Sequence, residues 1–332
     1  MEIDIQHKFN KYEPFISVII STYNSQEYIT NCLESCFKQT YRNFEVVVCD
    51  GASQDLTPYI LRNVTHKNFK YIYQNENKGI SAARYDAVML SKGDWVLHLD
   101  SDHELLPDSL HELAQEIILI NHYPQVGAIC GRYIWSDNKY TPKFFPNKDI
   151  VNFEEWLLWI EEEGGSDIVF CARKHALLKS NWFFDRRASM DALFHINFSK
   201  SWKRKLTNKV FAFQHESIEF SSSRGHRGRA AALSRWSKDM AWQYQSIINV
   251  YENTIHQFAP RYLTELYRQA FLHNLYAGNR FLPIKYGYIY ITRNPKDIFC
   301  LIILMIGLIS PAIVRYLNQF QHQMRNYFRV TK

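Results

Sequence analysis

Residues 15–24 read Phe15-Ile16-Ser17-Val18-Ile19-Ile20-Ser21-Thr22-Tyr23-Asn24. The run Phe15 to Ile20 is short, apolar and β-branched, the pattern of a strand buried on both faces. The polar turn Ser21 to Asn24 follows it. Asn24 with Glu27 three positions on reads as a helix N-cap and its partner, and Ile29, Leu33, Cys36 and Phe37 mark one helix face. A second buried strand, Phe44 to Cys49, ends in Asp50-Gly51, and Thr57-Pro58 opens a helix with Pro in its first turn. Tyr71 to Tyr73 reads as a third strand, Ile80 to Leu90 as a helix and Trp95 to Leu99 as a fourth strand. Strands alternating with helices at this pace imply βαβ units with right-handed crossovers. The expected class is α/β, an open, mostly parallel sheet sandwiched by helices.

Beyond about Pro107 the pattern changes. Ser109 with Glu112 starts a helix; Val126 to Cys130 and Ile168 to Ala172 read as strands. Residues 151–163 read as an aromatic amphipathic helix ended by Gly164 and Gly165, and residues 189–202 as another helix. From 230 to 282 the chain is helical and aromatic. Residues 298–314 carry no charge over 17 positions, the lower edge of what crosses a bilayer, and Arg315, Arg325 and Arg329 follow. Membrane contact of a C-terminal tail is the expectation, with a buried helix as the alternative. The resulting division is 1–228, 229–295 as a helical extension and 296–332 as a membrane-associated tail.

The 332 residues carry a net charge of +6, with 46% hydrophobic and 22% charged residues, which excludes a disordered chain. Basic residues are scattered except between Arg224 and Arg235, so nucleic acid is not the expected partner. The six cysteines form no Cys-x-x-Cys pair, and Cys32 and Cys36 are read as core. The N-terminus lacks the apolar run of a signal peptide, which places the chain in expectation at the cytoplasmic face of a membrane.

Carboxylates fall at strand ends. Asp50 follows the second strand, and Asp100-Ser101-Asp102 follows Trp95 to Leu99. In an open parallel sheet, ligands bind beyond the carboxyl ends of the strands. Oxygen ligands at a rigid strand end suit Mg²⁺ or Mn²⁺ bridging to a diphosphate. A solvated turn is the alternative reading of the same acids.

The order Ser17 to Asn24, Val48 to Asp55, Asn77 to Arg84 and Leu99 to Asp102 resembles glycosyltransferase family 2. The resemblance covers residues 15–105 strongly and 105–220 more loosely, which divides the domain into a nucleotide-sugar half, about 15–105, and an acceptor half, about 106–228. It implies the GT-A fold of nucleotide-diphospho-sugar transferases and inverting transfer. The family's Asp-Asp-Gly-Ser stands here as Asp50-Gly51-Ala52-Ser53. By the same resemblance, Thr22, Tyr23 and Asn24 lie against the nucleotide, and Asp50 accepts a base N–H. Arg84 faces the phosphates, Asp100 and Ser101 sit near the ribose, and Asp102 binds the metal.

Inversion requires a base for the acceptor hydroxyl. In Phe184-Asp185-Arg186-Arg187-Ala188-Ser189-Met190-Asp191, Asp191 takes the family's Asp place and Met190 replaces its Glu. Asp191 is the expected base and Asp185 its rival. His215 is a candidate metal or phosphate ligand. Residues 221–229 read as a basic loop able to close on the diphosphate, and Trp156 and Trp159 as core or an acceptor platform. The implied reaction moves a sugar from a nucleotide diphosphate, UDP foremost, to a lipid-linked or polysaccharide acceptor. A non-catalytic nucleotide-sugar binder and a sugar nucleotidyltransferase are the alternatives.

Overall fold

The computed structural model describes residues 12–165, 167–215, 226–297 and 302. The chain divides into two compact units, up to residue 216 and from residue 217.

The first unit is built on β1 (Ile16–Thr22), β2 (Phe44–Asp50), β3 (Phe69–Tyr73) and β4 (Trp95–Asp100). They run parallel in the order β3-β2-β1-β4. Every residue of β1 and β2 is buried, which is why these strands read as continuous apolar runs rather than alternating ones. Crossovers are α1 (Ile29–Phe37), α2 (Thr57–Arg62) and α3 (Ile80–Leu90). Helix α1 turns Ile29, Cys32, Leu33 and Cys36 inward, each aliphatic side chain contributing roughly 1.5–3 kcal/mol. The described cysteines are all buried and unbridged.

The second half of the sheet contains β5 (His103–Leu105), β6 (Val126–Trp135), β7 (Tyr140–Thr141), β8 (Ile150–Val151), β9 (Val169–Arg173) and β10 (Lys203–Gln214). The order continues β4-β9-β6-β10-β5. Strand β9 is antiparallel to both β4 and β6, so the parallel rule holds for the first four strands and then breaks. Between these strands lie α4 (Ser109–Ile120), α5 (Phe153–Glu163), the short α6 (Lys174–Leu178) and α7 (Asp191–Ser201). A full capping box opens α5: Asn152 Oδ1 accepts the Glu155 N–H, and Glu155 returns a carboxylate to the Asn152 N–H. Trp156 and Trp159 are buried with ring centroids 4.5 Å apart, and the Arg204 guanidinium lies 4.2 Å from the Trp156 ring. Both tryptophans therefore belong to the core.

In the second unit, α8 (His226–Phe258), α9 (Pro260–Tyr276) and α10 (Leu282–Arg293) follow one another as separate helices, with α9 packed against both of the others. Pro260 sits in the first turn of α9, where its missing N–H costs no helical bond. Leu263, Leu266, Ala270 and Phe271 are buried along α9. Among the described residues no helix is long and apolar enough to cross a membrane. The expected tail, 298–314 apart from Ile302, and residues 221–225 of the basic loop lie outside the described residues.

Candidate active site

Strand register brings the site together. Thr22 pairs with Asp50 and Ser21 with Asp100, so the ends of β1, β2 and β4 share one edge of the sheet. The loops leaving β1 and β2 are laced to one another. The Asn24 N–H donates to Ser53 Oγ at 2.8 Å, and Asn24 Oδ1 accepts the Gln54 N–H at 2.8 Å. The Ser25 N–H donates to Thr57 Oγ1, and Gln26 Oε1 accepts the Leu56 N–H. Asn24 has φ 52°, a conformation that Asn tolerates better than most residues. It is therefore a loop clasp and not the helix cap expected of it, since α1 begins only at Ile29. Tyr23 beside it is 41% exposed, presenting a ring at the edge. The buried hydroxyls of Ser21 and Thr22 have no hydrogen-bond partner among the described residues.

Asp50 is fully buried. Its Oδ1 accepts the Ser53 N–H at 2.9 Å and the Ser53 hydroxyl at 2.6 Å, while the Tyr71 hydroxyl donates to Oδ2 at 3.2 Å. As it stands, Asp50 holds the post-β2 loop in place. Ser101 Oγ lies 2.9 Å from Ser25 Oγ, tying the turn after β4 to the loop after β1.

Arg84 is the centre of the site. It rises from the second turn of α3 and is only 15% exposed, with its fork divided between two acids. Nη2 donates to Asp100 Oδ1 at 3.1 Å and Nη1 to Asp191 Oδ1 at 2.6 Å. Asp191 stands 107 positions away in sequence, at the first residue of α7, where the helix dipole favours an anion. Desolvation pushes the Asp191 carboxyl up, but Arg84, with Ser189 and His195 behind it, outweighs that and holds it at about 2. Asp100 is likewise held below the ordinary carboxylate range: burial opposes the charge, and Arg84 and His103 overcome it. Met190, where the family carries Glu, is buried in the core at the start of α7. Asp185 does not join Arg84; it is exposed and pairs with Arg186 Nε at 3.2 Å.

Asp100, Asp102 and His103 offer one ligand atom each within 4.8 Å of one another. Two carboxylates and an imidazole suit Mg²⁺ or Mn²⁺, and the donor set fits such an ion. Burial first, then the neighbouring Asp100 charge, raise the Asp102 carboxyl against the pull of His103, so the cluster gains from added positive charge. His215 stands beside this cluster, where its charge bears on Asp102. Its Nε2 lies 2.6 Å from Glu104 Oε1, because β5 and β10 pair antiparallel and bring the end of β10 alongside Glu104. The His103 imidazole lies 3.7 Å from the Asp102 carboxylate.

Two further histidines flank the site. His98 on β4 packs between Phe170 and Trp182 and is pushed down to about 3, by burial and then by Arg84. His195, one turn after Asp191, is held well below its ordinary range by burial and Arg204. The spacing of Asp191 and His195, four residues on one helix, was the available sequence signal.

The family model described as glycosyl transferase family 2 matches residues 17–214. The chondroitin synthase of Escherichia coli is 40% identical over 102 residues, which is 30% of this chain and 15% of that protein. The UDP-Glc:alpha-D-GlcNAc-diphosphoundecaprenol beta-1,3-glucosyltransferase WfaP of Escherichia coli is 37% identical over 87 residues, 26% of this chain and 35% of that protein. The matches thus span well under half the length of these relatives. Among solved structures, S. aureus TarS 1-349 in complex with UDP-GlcNAc superposes with a TM-score of 0.54 at 18% identity, covering 84% of this chain and 92% of that one. The mannosyltransferase PcManGT from Pyrobaculum calidifontis, in complex with GDP-Man and Mn²⁺, gives 0.52 at 19% identity, over 92% and 88% of the two chains. At these identities the likeness is one of fold.

Proposed function

Because the chain belongs to glycosyl transferase family 2 and has the α/β fold of the GT-A type, we propose that this glycosyltransferase moves a sugar from a UDP-sugar to a hydroxyl of a polysaccharide or lipid-linked acceptor, with inversion at the anomeric carbon. The observation that carries the reading is the Arg84 fork, which joins a strand-end acid, Asp100, to a helix-start acid, Asp191, at the ligand-binding edge of the sheet.

Tyr23 stacks under the base, and the clasped loops after β1 and β2 frame it. Arg84 turns from its acids to the diphosphate, which as a planar fork it can grip at two oxygens. Asp191 is ionised at neutral pH and accepts the acceptor's hydroxyl proton. The acceptor oxygen forms its bond to the anomeric carbon as the bond to the diphosphate oxygen breaks, the electron pair leaving on UDP. Losing Arg84 to the donor raises the basicity of Asp191 when it is needed. Asp100, Asp102 and His103 are the residues to hold Mg²⁺ or Mn²⁺, which when bound supplies positive charge against the leaving diphosphate.

The relative named as acting on a diphosphoundecaprenol-linked substrate supports a lipid-linked acceptor. The uncharged residues 298–314 with the basic positions after them support work at the cytoplasmic face of a membrane. The test is incubation with UDP-Glc and UDP-GlcNAc, reading UDP release and, by proton NMR, the anomer of the product. An α-linked donor should give a β product. Retention of configuration, or no UDP released from any UDP-sugar, rejects the reading.

A further inference from the structure

A cleft of about 460 Å³ lies beside the Arg84 site and is used by none of the steps above. One wall is the loop after β3 and the outer side of α3; the other is the segment leading into α7. We propose that this cleft is a carbohydrate-binding subsite that holds the acceptor glycan, on the evidence of its aromatic faces, its mixed polar lining and its two walls. The inference rests on the transferase reading and adds where the acceptor lies.

The aromatic lining is Tyr85 and Phe184, whose rings meet edge-on with centroids 4.9 Å apart. Trp182 packs behind Tyr85 at 5.6 Å, and Phe184 is left 51% exposed. A rigid, half-bare aromatic ring suits the C–H face of a pyranose, because it gives apolar contact without burying the sugar's hydroxyls. The polar lining supplies acceptors from Glu76, Asp86 and Asp185 and donors from Asn77, Lys78 and Arg187. Sugar hydroxyls both donate and accept, so such a mixture matches them. Three carboxylates against two cations make the cleft unsuited to the donor's diphosphate, and so much charge makes it unsuited to a lipid chain. Its volume falls within the usual span for small-ligand sites, about 300–1,000 Å³.

Position supports the acceptor in particular. Helix α3 carries Tyr85 and Asp86 on this wall and Arg84 on the neighbouring face. The facing segment ends, after Arg187, in Ser189 and then Asp191. The walls touch: a Cβ on Gly79 would lie 2.7 Å from the Arg187 Cα. Gln74 Nε2 donates to Asp86 Oδ2 at 2.7 Å, fixing one of the acids from below. A glycan in this cleft is thus held by the same two segments that carry the phosphate-facing cation and the base.

The experiment uses saturation-transfer NMR on the full chain with maltotriose, cellotriose and N-acetylchitotriose as probes, and UDP as the reference ligand. At least one trisaccharide should receive saturation through its ring C–H protons. Phe184→Ala should weaken its binding about 2- to 12-fold, the range expected for loss of one aromatic contact. Asp185→Asn should weaken it as well, and UDP binding should be unchanged in both variants, which also reports that they fold. If UDP binds but no trisaccharide does, or if the trisaccharide signal survives both substitutions, the subsite is overturned while the transferase reading stands. If UDP itself fails to bind the wild-type chain, the transferase reading fails first.

Discussion

Gly79→Ala tests the joint on which the site turns. Gly79 precedes α3 with φ 91° and ψ 167°, a region nearly confined to glycine, and a residue with a side chain pays about 1–3 kcal/mol to enter it. The added Cβ would also meet the Arg187 Cα at 2.7 Å and the carbonyl oxygens of Arg186 and Arg187 at 3.0 Å. These are backbone atoms that no rotamer change can move, and overpacking of this kind costs about 1–3 kcal/mol. The combined loss is about 2–6 kcal/mol, against about 5–15 kcal/mol for the stability of a whole domain. For a unit of this size, each kcal/mol lowers Tm by about 2–4 °C, so thermal unfolding followed by circular dichroism should fall by at least about 4 °C. Because α3 carries Arg84 and its movement displaces the start of the α7 approach, UDP affinity should fall in the same variant. A Tm within about 1 °C of wild type, with UDP affinity unchanged, would show that the close backbone approach is not a constraint and refute the reasoning.

Asp191→Asn keeps the shape at the start of α7 but removes the proton acceptor; kcat should drop about 10²–10⁴-fold with donor binding retained, and normal turnover would rule Asp191 out as base. Asp102→Ala should abolish any gain in UDP affinity produced by Mn²⁺, measured by calorimetry with and without the ion; an equal gain in the variant would remove Asp102 from the ion's ligands. Glu45 is buried on β2, where burial opposes its charge but Lys70 at 2.7 Å, the Lys92 N–H and Ser17 together lower its carboxyl. Its contribution is present above the unfolded value of about 4.3 and is lost as pH falls through the lower folded value, so Glu45→Gln should flatten the acid limb of stability against pH, and an unchanged limb in urea titrations would contradict this. Deleting residues 296–332 should shift the chain from membrane to soluble fractions in a salt-dependent assay; an equally membrane-bound truncated chain would move the tether elsewhere.

The first half of the sheet was legible because burial on both faces forces a simple signal. Ile16 to Thr22 and Phe44 to Asp50 have no solvent face, so nearly every position is apolar or small and the strand limits stand out. The helix Phe153–Glu163 was legible for a different reason, since its aromatic amphipathic pattern and its terminal glycine are local chemistry; its Asn152 capping box is local too but went unread. Strand β9 was found at its position, but nothing in Val169 to Arg173 records its direction, which is set by neighbours 70 or more positions away at β4. Strands β5, β7 and β8 are two or three residues long and carry no periodicity to read.

The site divides along the same line between local and distant information. Asp50, Asp100 and Asp102 announced themselves because a strand end followed by an acid is a contiguous pattern. The pairing of Arg84 with Asp191 is not contiguous; it exists because α3 and α7 both begin at the edge where β4 ends. Motif order named both residues but could not say that they meet, and their meeting is what holds the Asp191 carboxyl low in spite of its burial. His103 shows the opposite case. It directly follows Asp102 in sequence, yet alternation along a strand argues that neighbours face apart, and only the tight turn between β4 and β5 brings the Asp102 carboxylate and the His103 ring within 3.7 Å. His215 was named on resemblance, and the antiparallel pairing of β5 with β10 sets its ring against Glu104, the residue after His103. Residues whose roles depend on one strand end are therefore readable, whereas those that depend on where two elements cross wait for the fold.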